Sequence, residues 1–135
     1  MRLLLVEDEP LIALDLEAVL TSFGHEIVGM ADTLESAIKA AAAHRPDAAL
    51  VDLNLRDGMT GKEVARALTG RLGIPIGYIT GNAEQLTDDF AGGRAVVEKP
   101  FTDEGVKEML RVLEAARSGQ PAPAGLRYAR LAPAA

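Results

Sequence analysis

A chain of 135 residues supports one core of ordinary size rather than two, since separate cores need roughly 200 residues or more. Hydrophobic residues at 48% and charged residues at 25% exclude disorder over most of the length. Fourteen Lys and Arg against 20 Asp and Glu leave a formal charge of −6, which argues against nucleic acid or an anionic membrane as partner, and the absence of Cys excludes thiol chemistry and suits a reducing cytoplasm.

Short apolar runs alternate with stretches of helical period, the pattern of a parallel sheet built from βαβ units. Arg2 to Val6 reads as the first strand, too short for a signal peptide or membrane span because Glu7-Asp8-Glu9 breaks it at once. A helix opens near Pro10, with Leu11, Leu14, Ala18, Ile12, Leu16, Val19 and Phe23 offered as a broad buried face and Gly24 as its stop. The second strand is Glu26 to Met30. Thr33 then caps a helix from Leu34 to about Ala43, with Leu34, Ile38, Ala41 and Ala42 inward.

The third strand, Ala48 to Asp52, is apolar until a carboxylate appears at its carboxyl end. Thr60 and Glu63 have capping-box spacing for a helix reaching about Leu72, and Ile74 to Thr80 supplies the fourth strand. From Gly81 to Arg94 three glycines and a brief apolar pattern predict a fourth helix that is short or irregular. Ala95 to Glu98 is the fifth strand, and Thr102 opens a last helix with Val106, Met109, Leu110 and Leu113 facing inward. The fold expected is α/β and flavodoxin-like, a doubly wound five-stranded parallel sheet of order 2-1-3-4-5. It occupies residues 1–117, and residues 118–135 form a flexible Pro/Ala-rich tail with Leu126, Tyr128 and Leu131 as weak docking points.

Ligands of an open parallel sheet gather beyond the carboxyl ends of its strands, where strand order reverses. Here those ends carry Glu7-Asp8, Asp52, Thr80 and Glu98-Lys99. Carboxylates brought that close repel one another unless a cation sits between them, and an all-oxygen set suits magnesium better than calcium, for which few further acids are in reach. A hydroxyl (Thr80) and an ammonium (Lys99) beside such an ion form a clamp for phosphoryl oxygens, and Asp52, the mid-sheet carboxylate, is the candidate acceptor. Taken singly, these residues have plainer readings. Glu7, Asp8 and Glu9 are acids at a helix start, the reading kept for Glu9. Asp52 alone caps a loop, Thr80 ends a strand and Lys99 is a solvated cation.

In order and spacing, Leu5-Val6-Glu7-Asp8-Glu9-Pro10, Leu50-Val51-Asp52-Leu53-Asn54-Leu55, Ile79-Thr80-Gly81 and Val97-Glu98-Lys99-Pro100-Phe101 resemble the receiver domains of bacterial two-component response regulators. The resemblance implies that Asp52 takes the phosphoryl group, that Glu7 and Asp8 hold magnesium with Asp52, and that Asn54 lends the metal its backbone carbonyl. It also implies that Thr80 and Lys99 grip the phosphate and that the Lys99-Pro100 bond is cis. Tyr78-Ile79-Thr80-Gly81 is similar to the Phe-Ala-Thr-Gly stretch of a subgroup of single-domain receivers. Two departures stand out: Glu7 replaces the more usual Asp, and Val96 stands where an aromatic switch residue is common.

With 18 residues after Arg117, the expected function is a stand-alone cytoplasmic response regulator. It would accept a phosphoryl group from a sensor histidine kinase or histidine phosphotransfer protein and signal to a downstream protein or drain the relay, a phosphoacceptor rather than a conventional enzyme. A phosphorylation-independent pseudo-receiver is the alternative. An aspartate-nucleophile phosphatase is disfavoured by Asn54, where those enzymes place a second acid, and a flavodoxin-like nucleotide binder by the acids after the first strand, which would repel phosphate.

Overall fold

A computed structural model describes residues 1–134. Six strands form one sheet in the order β2-β1-β3-β4-β5-β6: β1 (Arg2–Val6), β2 (Glu26–Ala31), β3 (Ala48–Val51), β4 (Ile76–Thr80), β5 (Ala95–Glu98) and β6 (Ala129–Leu131). The first five are parallel, as predicted, and β6 runs antiparallel to β5. Four helices cover the faces: α1 (Pro10–Ser22), α2 (Leu34–His44), α3 (Gly61–Leu72) and α4 (Asp103–Arg117).

The two-residue period of a strand sends alternate side chains to opposite cores. Leu4, Val6, Val51 and Tyr78 join the layer under α2 and α3, whereas Leu3, Leu5, Leu50 and Ile79 join the one under α1 and α4. This is why β1, β3 and β4 read as unbroken apolar runs: both faces are covered.

Local capping explains several boundaries and corrects one. Thr33 and Ser36 form a reciprocal capping box at the start of α2. The box predicted at Thr60 and Glu63 does not form, because the Thr60 hydroxyl instead donates to Asp57 Oδ1 at 2.6 Å. The helix α1 is apolar almost all round, so periodicity could not select its buried side. Ala13, Leu16 and Leu20 face the sheet, while Leu11 (76% exposed), Leu14 (55%) and Ala18 face solvent, contrary to expectation.

Between β4 and β5 only a single 3-10 turn forms, at Ala83–Gln85. The rest of that stretch is pinned by side chains rather than wound into a helix. The buried Tyr78 hydroxyl donates to the Phe90 carbonyl at 2.8 Å, and Asp89 Oδ1 accepts from the Ala91 N–H at 2.8 Å. The largest departure lies in the predicted flexible tail, where residues 129–131 are a strand. Three residues are too few to show a period, and the groups that hold them, Glu108 and Ala83, are remote in sequence. Residue 135, the end of that tail, lies outside the described residues.

Candidate functional site

The sheet ladder aims the site residues. Val6 pairs with Val51, so β1 and β3 end side by side. The Asp52 N–H donates to the Val6 carbonyl at 2.9 Å and the Glu7 N–H to the Ala31 carbonyl at 2.9 Å, which ties both acids to the neighbouring strand. The Lys99 N–H donates to the Thr80 carbonyl at 3.0 Å, and the Lys99-Pro100 bond is cis, as the resemblance implies. Gly61, at the start of α3, passes against the Asp52 backbone so tightly that a Cβ would strike the Asp52 carbonyl and Leu53 Cα.

Carboxylate oxygens of Glu7, Asp8, Glu9 and Asp52 lie within 4.8 Å of one another. The side chains of Glu7 and Asp52 are only 4% and 6% exposed, and the Lys99 ammonium sits between them, 2.6 Å from Glu7 Oε1 and 2.7 Å from Asp52 Oδ2. Burial pushes the Glu7 carboxyl up to about 7, with the Asp52 charge adding to the rise and the Lys99 hydrogen bond opposing it. Burial alone would lower the Lys99 ammonium, but its hydrogen bonds to Asp52 and Glu7 outweigh that and hold it above its ordinary value. The donor set is entirely carboxylate oxygen, two of the groups are buried, and one lysine does not neutralise four acids. That combination fits a hard dication such as magnesium, for which Glu7, Asp8, Glu9 and Asp52 each offer a carboxylate oxygen.

The structure thus brings together Glu7, Asp8, Asp52 and Lys99. Glu9, set aside as a helix-start acid, belongs with them: its N–H donates to Glu7 Oε2 at 3.2 Å and its carboxylate lies 3.8 Å from the Lys99 ammonium. Only its position beside Glu7-Asp8 could have signalled this. Asn54 is exposed and approaches Asp52 through its N–H, 3.4 Å from Oδ1. Thr80 is fully buried at the end of β4, and its hydroxyl accepts from the Asn82 N–H at 3.2 Å, making no hydrogen bond to Asp52 or Lys99 among the described residues. Val96 is buried and paired with Tyr78 on one side and Arg130 on the other. No helix of the described residues is long and apolar enough to cross a membrane.

Comparison with known proteins gives the same family as the site. The model of the response regulator receiver domain matches residues 3–111. The phyllosphere-induced regulator PhyR of Methylorubrum extorquens is 36% identical over 111 residues, covering 81% of this chain and 42% of PhyR. The transcriptional regulatory protein PdtaR of Mycobacterium tuberculosis is 32% identical, covering 87% of this chain and 57% of its own. This chain therefore spans about half the length of these curated relatives. Among solved structures, the receiver domain of Erythrobacter litoralis PhyR superimposes with a TM-score of 0.77 at 33% identity, covering 93% of this chain and 95% of that one. SdrG from Sphingomonas melonis Fr1 gives 0.70 at 39% identity, covering 87% and 96%. With the acidic cluster, the lysine and the sheet order in place, the chain belongs to the receiver domain family of two-component response regulators.

Proposed function

We propose that this chain is a phosphoacceptor acting on its own in a cytoplasmic phosphorelay, with residues 1–117 as the receiver body. An Asp52 carboxylate oxygen attacks the phosphorus of a phosphohistidine presented by a sensor histidine kinase or histidine phosphotransfer protein. The new O–P bond makes an acyl phosphate, and the broken N–P bond returns its electron pair to the imidazole, which takes up a proton. The observation that carries this reading is the placement of Asp52: buried, at the sheet's switch point, 2.7 Å from the Lys99 ammonium and inside the carboxylate cluster.

Lys99 is a point charge that can follow a phosphoryl oxygen as negative charge moves from Asp52 onto the phosphate. Thr80 offers a hydroxyl from the adjacent strand end, and the Asn54 backbone carbonyl would add an oxygen donor to those of Glu7, Asp8 and Asp52. Bound there, magnesium would supply charge neutralisation for the phosphoryl oxygens. Asn54 stands two residues after the acceptor, where aspartate-nucleophile phosphatases place a second acid, and this favours phosphate storage and signalling, by protein contact or as a sink, over rapid turnover.

Acetyl phosphate or beryllofluoride with magnesium should shift the amide signals near Asp52, Thr80 and Lys99, and Asp52→Asn should abolish the shifts. An unaltered chain whose spectrum ignores both reagents would be a phosphorylation-independent pseudo-receiver, a reading kept in view by Val96 in the place of an aromatic switch.

A further inference from the structure

Between Asp52 and α3 the chain closes a small loop on itself. The Gly61 N–H donates to the Leu53 carbonyl at 3.0 Å, and inside that closure Leu55 and Gly58 exchange backbone hydrogen bonds, Leu55 N–H to Gly58 carbonyl at 2.8 Å and the reverse at 3.0 Å. Leu53 and Leu55 are buried in the core under α2 and α3, while Asn54 between them is exposed. The Asn54 carbonyl and the Leu55 N–H belong to one planar trans peptide and point in opposite directions. Because that N–H is aimed at Gly58, the turn from Leu55 to Gly58 sets where the Asn54 carbonyl points.

The tip of the turn is held from another element. Asp57 accepts the Leu34 N–H through Oδ2 at 3.0 Å and the Thr60 hydroxyl through Oδ1 at 2.6 Å. Leu34 opens α2, and the Thr33 cap of that helix takes the Ser36 N–H, so the remote carboxylate is what satisfies the opening amide and meets the positive end of the helix. Beside it, the Arg56 N–H donates to the Asp32 carbonyl at 3.0 Å. The same connection holds Glu7, whose N–H donates to the Ala31 carbonyl at 2.9 Å. Residues 31–34 are therefore a common reference for Glu7 on one side of the acidic rim and for the turn that orients Asn54 on the other.

We propose, on the reading of the site as a magnesium-assisted phosphoacceptor, that Asp57 is a positioning residue for the metal: it anchors the turn from Leu55 to Gly58 to α2 and so fixes the Asn54 backbone carbonyl relative to Glu7 and Asp8. It does this through hydrogen bonds rather than through its charge, and without touching the ion. Thr60 braces the second carboxylate oxygen, which is why its hydroxyl is not free to cap α3.

The test titrates magnesium into the full chain and its Asp57→Ala, Asp57→Asn and Arg56→Ala variants with no phosphoryl donor present, following the amide signals of Asp8, Asp52 and Leu55. Asp57→Ala should weaken magnesium binding about tenfold, the scale on which groups that orient a metal ligand act, and the Leu34 amide should exchange faster. Asp57→Asn keeps an oxygen for the Leu34 N–H, with the Thr60 hydroxyl turned to accept, and should stay within about threefold of the unaltered chain, since an exposed charge is screened by water and salt. Arg56→Ala retains its backbone bond to Asp32 and should bind magnesium like the unaltered chain. Full affinity in Asp57→Ala would overturn the proposal and leave the metal reading standing, and equal losses in Asp57→Ala and Asp57→Asn would overturn it in favour of a charge effect. An unaltered chain that binds no magnesium would overturn the reading of the site and this proposal with it.

Discussion

Lys99 holds Asp52 by a 2.7 Å hydrogen bond, and the same ammonium lies 2.6 Å from Glu7. One cation thus stands between the proposed phosphate acceptor and a proposed metal ligand, and each change to one of the three groups moves the other two.

Replacing Lys99 by Met leaves two buried carboxylates facing each other. Breaking a fully buried pair costs about 3 to 5 kcal/mol, and because Glu7 can take up a proton the loss here should be nearer 2 kcal/mol at pH 8. Urea unfolding should show that loss shrinking at pH 5.5 and partly reversed by magnesium. Equal loss at both pH values would mean that Glu7 does not respond to the lysine.

Glu7 also sets a pH dependence. Its folded carboxyl is raised to about 7 from 4.5, so its contribution to stability is fully present below 4.5 and is lost as pH rises through 7. Magnesium needs the deprotonated form, so its affinity moves the opposite way and should rise about tenfold between pH 6 and pH 8. Calorimetric titration would check this, and Glu7→Gln should flatten the dependence.

Asp52→Asn removes a negative charge that helps to raise Glu7. Carbon-detected titration of the Glu7 carboxyl should then show its midpoint falling. A midpoint that stays near 7 would assign the rise to burial alone.

Gly61→Ala drives a methyl group into the Asp52 carbonyl and Leu53. Overpacking of this kind costs about 1 to 3 kcal/mol, and here the displaced backbone carries the acceptor. The melting temperature should fall and phosphoryl uptake from acetyl phosphate should slow, whereas Gly70→Ala on the same helix, where the space is open, should leave uptake unchanged.

Tyr78→Phe removes the buried hydrogen bond to the Phe90 carbonyl at a cost of about 1 to 2 kcal/mol. Amide exchange over residues 81–94 should quicken, and in the unaltered chain that stretch should already exchange faster than α4. Protection equal to that of α4 would show the stretch to be as firmly held as the helix.

Much of this protein was legible without coordinates. The apolar runs at β1, β3, β4 and β5 announce themselves because strands covered on both faces carry few polar residues, and Pro10, Thr33 and Thr102 mark helix starts through local backbone chemistry. The gathering of Glu7, Asp8, Asp52 and Lys99 at one rim was readable because each stands at the end of such a run, and parallel strands bring their carboxyl ends to the same side of the sheet.

Other features belong to contacts between distant residues. Which side of α1 is buried depended on how the helix rests on the sheet, since Leu11 and Leu14 are as apolar as Leu16 and Leu20. Glu9 enters the acid cluster through the turn before α1 and the reach of Lys99. β6 exists because Glu108 and Ala83, 21 and 47 residues away from their partners, hold a segment whose own composition favours no structure. A short range along the chain sets propensity and spacing, whereas pairing across 20 or more residues is settled only when the whole sheet has closed around them.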